Sequence, residues 1–405
     1  MEKILLIFSF LIIITSNVFG GGVSFTQYCI PKDIPYSEYL ALIAFYEATG
    51  GTDWTNGGST DGTDADAWGY SANADDWYGV TVGGGHVTGL DLNANNLVGD
   101  FATTLTAFDA VMTGAFDLSG NASLTGGIAD CPAAITGNFA IDNTGIDGDL
   151  ADGPTGLAGN ILANDSGIST YTPSGGVWPY ATGNTKTLDF DDLSLSQADV
   201  DALLVDLAAK SNTGCTLDLT GNAQPTSWSS INTLLGRGWT VSVTESLGSE
   251  KHTLSNAAMP SASDSNSTTG WASNCTFTSD ATPALGTWAL KGVATIVNSR
   301  FYVFLKDDGL NLLQGSWYKI TFQCRHAGTG GDWIIGLNDS STSTIHIPYA
   351  TLTSAHTTYQ SIVAYFIFNN SGSGTDTDTF MAREYNVPND GGAFIDNVSI
   401  KRIVP

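Results

Sequence analysis

The sequence predicts a mainly β chain in two parts: a stack of short repeated strands, followed by an antiparallel two-layer sandwich. Three observations carry this. Glycine supplies 47 of 405 residues, about 12% against a usual ~7%, which favours many short elements divided by turns. Apolar residues recur in one pattern through the first half. Formal charge then changes abruptly near residue 250. Gly21–Glu250 holds 4 basic and 28 acidic residues, whereas Lys251–Pro405 holds 9 and 11. Nearly all of the net −26 therefore belongs to the first half. A step that sharp marks a domain boundary. A chain this acidic argues against nucleic acid or anionic lipid as partners, because both are polyanions.

Taken in order, residues 1–20 read as a signal peptide. Lys3 precedes an apolar run from Ile4 to Ile14, and Val18 and Gly20 occupy the −3 and −1 positions of a cleavage site before Gly21. The run is shorter than the ~20 apolar residues a spanning helix needs. A secreted or cell-surface location follows, with no membrane span after cleavage. Residues 21–80 form a cap. There Ser37 is placed to start a helix carrying Leu40, Ile43, Ala44 and Glu47, which Gly50 and Gly51 end.

Residues 81–245 repeat. The pattern is cleanest at Leu90, Leu92, Asn95, Leu97 and Gly99. It returns at Phe116, Leu118, Asn121, Leu124 and Gly126, and again at Phe139, Ile141, Thr144, Ile146 and Gly148. Weaker copies pass through Leu162 and Ile168, then Leu188, Phe190 and Leu193, then Leu217, Leu219 and Asn222. Steps from Leu90 to Phe116, Phe139, Leu188 and Leu217 are 26, 23, 49 and 29, the longest covering two turns. Leucine-rich solenoids repeat every ~20–29 residues. One repeat cannot bury its own apolar face, so neighbours must stack. The flanking residues Trp54, Trp68 and Asp76-Trp77-Tyr78-Gly79-Val80, ahead of Leu90-Asp91-Leu92, resemble the N-terminal cap of leucine-rich repeat proteins of bacterial and plant type. That resemblance covers roughly Tyr36 to Phe101. A second helix is expected from Ser196 to Lys210, with Ser196 and Asp199 at capping-box spacing. Trp239–Val243 looks like the closing strand. Asp61, Asp64 and Asp66 sit close enough to suggest oxygen ligands for calcium.

A linker is expected at 246–252 and the sandwich at 253–405. Alternating runs at Phe301–Phe304, Trp317–Phe322, Asp332–Leu337, Tyr359–Phe368 and Ala393–Ile400, divided by Gly, Asn and Ser clusters, predict its strands. Leu254-Ser255-Asn256, Thr269-Gly270-Trp271, Gly286-Thr287-Trp288, Gly315-x-x-Tyr318-x-Ile320-x-Phe322 and the closing Ile395-Asp396-Asn397-Val398-Ser399-Ile400 resemble carbohydrate-binding modules of the galactose-binding jelly-roll type. In such modules a pyranose stacks on flat aromatic rings while polar side chains bind its hydroxyls. The resemblance makes Trp333, Trp317, Tyr302, Tyr365 and Trp288 the glycan-binding candidates. Trp333 leads them, because it follows the Gly328–Asp332 loop. Trp271 matches a position that packs inside. Asp396 matches a position that ligates a structural calcium ion.

Of five cysteines, Cys275 and Cys324 share the second half and are the expected disulfide. Seven Asn-x-Ser/Thr sequons, among them Asn121, are open to glycosylation in an exported chain. No organic cofactor is implied. The expectation is a non-enzymatic recognition or adhesion protein: a repeat stack acting as spacer or protein-binding surface, and a jelly roll taking a glycan or cell-surface polysaccharide. The alternative is a self-assembling structural subunit of an extracellular filament, surface fibre or virion appendage.

Overall fold

The computed structural model describes residues 30–58, 66–102, 104–172, 185–254, 271–273, 276–280, 289–293, 300–304, 312–328, 332–338, 345–368, 379–385 and 392–404. The chain is mainly β. Its first half contains helix α1 (Tyr36–Ala48) and strands β1 (Val80–Gly83), β2 (His86–Asp91), β3 (Val98–Asp100), β4 (Phe116–Asp117), β5 (Ser123–Gly127) and β6 (Phe139–Ala140). It continues through β7 (Gly145–Asp149), β8 (Ile161–Leu162), β9 (Gly167–Thr170), β10 (Thr187–Asp189), α2 (Gln197–Ala209), β11 (Thr216–Leu219), α3 (Trp228–Leu235) and β12 (Thr240–Val243).

These strands make two sheets, ordered β1-β2-β4-β6-β8-β10-β11-β12 and β3-β5-β7-β9. Apart from the β1–β2 hairpin, every pairing in them is parallel. The repeated apolar position falls into register: Leu90 pairs with Phe116, Phe116 with Phe139, Phe139 with Ile161, Ile161 with Leu188, Leu188 with Leu217, and Leu217 with Val241. From Leu90 to Leu217 all are buried, and the Phe116 and Phe139 rings stack at 5.7 Å. Parallel strands buried this way need apolar side chains at matching positions in successive copies, and the pattern supplies them. Gly99 sits at φ +119°, where an added Cβ would lie 2.3 Å from the Ala48 carbonyl oxygen. Only glycine lets this turn approach α1 so closely.

The buried asparagines join successive copies. Asn121 Oδ1 accepts from the Asn95 and Leu97 N–H groups, both at 3.0 Å, while Nδ2 donates to the Leu92 and Leu118 carbonyls. Asn95 extends the chain of bonds to the cap, accepting from the Asn56 N–H at 2.7 Å. Asn222 does the same for a later turn, accepting from Leu195 N–H and donating to Phe190 O and Leu219 O. At Thr144 the shorter side chain bonds only within its own turn.

One local expectation changes at the helix starts. α1 begins at Tyr36 with Pro35 before it and no side-chain cap, so Ser37 lies inside the helix. Pro35 is the extended N-cap residue, and its carbonyl accepts from the Glu38 and Tyr39 N–H groups, both at 3.1 Å. α2 starts as expected: Ser196 and Asp199 form a capping box.

The second half contains β13 (Leu247–Leu254), β14 (Trp271–Ser273), β15 (Thr276–Asp280), β16 (Ala289–Val293), β17 (Arg300–Phe304) and β18 (Trp317–His326). β19 (Asp332–Asn338), β20 (Ile345–Leu352), β21 (Gln360–Ile367), β22 (Thr379–Tyr385) and β23 (Gly392–Ile403) complete it. All its pairings are antiparallel, in the orders β15-β16-β23-β18-β21, with β13 also on β23, and β14-β17-β22-β19-β20. Burial alternates strictly along β18, putting Tyr318, Ile320, Phe322 and Cys324 into the core with Trp333, Ile335 and Leu337 of β19. The stretch expected as a linker, 246–252, lies almost wholly in β13. Apart from Leu247 and Gly248 its residues are polar, and pairing with the distant C-terminal strand, not local pattern, makes it a strand.

Candidate functional site

Two surfaces stand out among the described residues. The first is an acidic row on the long parallel sheet. One position after the buried apolar residues, Asp91 pairs with Asp117 and Asp189 with Asp218, with Ala140 and Leu162 between. Neighbouring strands lie about 4.8 Å apart, so these carboxylates face like charge on the next strand. Asp191, two residues beyond Asp189, is pushed up to about 6 by burial first, then by the charge and hydrogen bond of Asp189 and the charges of Asp218 and Asp192. Asp142 is raised by burial and by Asp117, Asp189 and Asp165. Asp189 is raised by burial, with Asp218 and Asp165 adding to it. No group of three His, Cys, Asp or Glu residues suited to a metal ion occurs among the described residues. Asp61 and Asp64 of the expected calcium loop lie outside them.

The second surface is the junction between the halves. Trp228, which opens α3, stacks on Tyr365 of β21 at 4.7 Å. One turn on, the Asn232 amide takes both backbone groups of Tyr365: Oδ1 accepts from its N–H at 2.9 Å and Nδ2 donates to its carbonyl. The Tyr365 hydroxyl donates to Glu245, and Lys319 Nζ pairs with the same carboxylate at 2.7 Å. Burial, then Glu245, holds the Tyr365 phenol well above its ordinary range. Gln224 adds a bond to the Val404 carbonyl at 3.1 Å. Beside these contacts opens a cleft of about 400 Å³, walled by Leu235 and Trp239 on one side and by Tyr349, Ser361 and Val363 on the other.

The structure places the sequence candidates as follows. Trp333 is fully buried between the sandwich sheets, so it is a core residue and not a sugar platform. Tyr365 is 2% exposed under Trp228, and its ring is likewise closed to a ligand. Trp317 is half-buried against the core of the repeat half. Tyr302 lies in β17, paired with Ala272 and Met381, and its side chain lies outside the described set. Trp288 lies outside the described residues. Trp271 is placed in β14 by its backbone. Asp396 pairs by its backbone with Gln323, beside a break in register between Thr321 and Gln323.

Cys324 is a free thiol, so the expected bridge to Cys275 is not made; Cys275 lies outside the described residues. The alternation of β18 turns Cys324 into the core, and burial raises its thiol to about 12. The Asn121 sequon is closed too, since that amide is buried and fully engaged.

Asn232, Trp228, Glu245 and Lys319 were not singled out by the sequence reading. The signal for Trp228 was present: Trp228, Ile231 and Leu234 recur three apart, as a short amphipathic helix requires.

No family model matches the chain, and no curated protein matches it. Solved structures similar to part of it include the CBM22-1 xylan-binding domain from Paenibacillus barcinonensis Xyn10C, at 11% identity and a TM-score of 0.26, covering 34% of this chain and 88% of that one. A family 11 carbohydrate-binding module from Clostridium thermocellum is 14% identical with a TM-score of 0.22, covering 32% and 88%. A family 16 carbohydrate-binding module is 13% identical with a TM-score of 0.22, covering 31% and 86%. Likenesses this distant establish neither a shared family nor a shared ligand.

Proposed function

We propose that this is an exported, non-enzymatic recognition protein. Its first half is a degenerate leucine-rich-repeat solenoid that serves as spacer or protein-binding surface, and its second half is a jelly roll that takes a glycan. The observation that carries the reading is the in-register parallel sheet, which sets side chains in extended rows, bolted to an antiparallel sandwich through Asn232 and Trp228. Rows of like groups suit broad recognition, whereas catalysis needs unlike groups converging on one point. The order of sandwich motifs, closing in the Ile395–Ile400 strand, supports the glycan half. Tyr302 is taken as the leading aromatic contact, because Trp333 and Tyr365 are buried and closed to a ligand. A glycan array probed with the whole chain should show binding that Tyr302→Ala weakens at least tenfold. An array with no binder removes the glycan half of the proposal.

Asp396 is proposed to hold a structural calcium ion. The register break beside it supports this, because a bulge frees backbone carbonyls from the ladder. Millimolar calcium should raise the melting temperature of the native chain and leave Asp396→Ala unmoved. A native melt indifferent to calcium sinks the idea.

A further inference from the structure

We propose that the open edge of β21, inside the junctional cleft, is a docking site for an extended, uncharged segment of another polypeptide, which adds to the sandwich as a further strand. β21 ends its sheet, so one side of it has no neighbouring strand among the described residues. Asn232 shows which backbone groups face that side. Its amide makes the two bonds to Tyr365 that the peptide group of a neighbouring strand would make. In an antiparallel pair such outward-facing groups recur at every second residue. The next two along β21 are therefore those of Val363 and Ser361, and both residues line the cleft beyond Asn232. Val363 remains 37% exposed there. An apolar edge strand left open is a ready template for strand addition.

The walls narrow the choice of occupant. The cleft holds about 400 Å³, within the roughly 300–1,000 Å³ of ligand sites. Leu235 and Trp239 of the repeat half close it opposite the edge, so it admits a single strand and not a second sheet. Tyr349 of β20 also lines it, and its hydroxyl is buried with no hydrogen-bond partner. Burial holds that phenol protonated, hence a donor. A buried donor with no acceptor is costly unless a ligand supplies one. None of the lining side chains carries a charge at neutral pH, so a charged segment would lose its hydration uncompensated. Outward N–H and C=O groups recurring every ~6.6–7 Å match the repeat of an extended peptide. They do not match the hydroxyl spacing of a sugar in any such regular way.

The test pans a random heptapeptide display library against the whole chain. Enriched peptides should be uncharged and bind the wild type. Val363→Pro should weaken them at least tenfold, since proline removes one outward N–H and is tolerated on an edge strand. Tyr349→Phe, which deletes only the hydroxyl, should weaken them about fivefold. Bound peptide should slow hydrogen exchange at the Val363 and Ser361 amides. Thermal melts of both variants confirm that they fold. Three results would overturn the proposal. The first is enriched peptides that bind Val363→Pro as well as wild type, or no enrichment at all. The second is a neutral oligosaccharide, and no peptide, protecting those amides. The third is a concentration-dependent dimer that Val363→Pro abolishes, which would assign the edge to a second copy. The glycan array reports separately, since Tyr302 lies on another sheet.

Discussion

The two halves bury comparable apolar side chains by opposite rules. In the repeat half each strand contributes one or two residues to a shared row, and the asparagines at the turns tie one copy to the next. In the sandwich each long strand alternates on its own, as β18 does from Trp317 to His326. The difference teaches where a substitution is felt. A row multiplies whatever sits at the repeated position, leucine or aspartate alike, whereas a sandwich strand keeps the consequence to its own neighbours. The aspartate row, Asp91, Asp117, Asp189 and Asp218, concentrates part of the acidity of that half on one sheet.

The sharpest break of this contrast is Asn121→Ala. It strips acceptors from two buried N–H groups and a donor from at least two carbonyls, severing the link between two turns. The expected cost is about 4 kcal/mol, read by chemical denaturation. The converse is Thr144→Asn, which restores an amide where the bonds are now confined to one turn and should stabilise by about 1 kcal/mol. If Asn121→Ala costs no more than an exposed Asn→Ala, the turns are not coupled through these amides.

How much of this was legible in the sequence depends on range. Period and spacing located the register at Leu90, Phe116, Phe139, Leu188 and Leu217, because each copy repeats its own local pattern; the weaker copy expected through Leu162 lies one residue off, since Ile161 is the side chain in register. Trp333 was misjudged from its glycine-rich flank, yet its parity with Ile335 and Leu337 already put it on their apolar face. β13 was hidden for a different reason: between Leu247 and Leu254 it has no apolar alternation, and it becomes a strand only against residues about 150 positions later. The junction was hidden likewise. Nothing near Asn232 announces that its amide will cap Tyr365, 133 residues away.

That junction is where the two rules meet, and Tyr365 belongs to the core of the repeat half although it sits on a sandwich strand. Tyr365→Ala removes the ring stacked on Trp228 and should cost about 3 kcal/mol. Calorimetry should show the separation: one cooperative transition in the native chain, two in the variant. Tyr365→Phe keeps the stack and loses only the bond to Glu245, which retains Lys319, so it should still melt once. Two transitions already present in the native chain would mean that the junction does not couple the halves.

The smallest effect tests the row of charge itself. In the folded chain Asp191 titrates near 6, against an ordinary value of 3.8. Between those limits the folded state holds a proton that the unfolded state has released. Stability from this group therefore falls as pH rises from about 4 to 6 and is level above. Asp191→Asn removes that slope. It should raise stability by about 1 kcal/mol at pH 7.5, a solvent-screened figure for a half-exposed group, and by progressively less as pH drops toward 4. Asp218→Asn, acting on Asp191 only through space, should lower the Asp191 titration midpoint in carboxyl NMR without abolishing it. A stability gain for Asp191→Asn that is equal at pH 4.5 and 7.5 would show that packing, and not the neighbouring carboxylates, sets the cost. The repeat half would then bear its acid as isolated surface groups, and the additive behaviour of its rows would be confined to the apolar and amide positions.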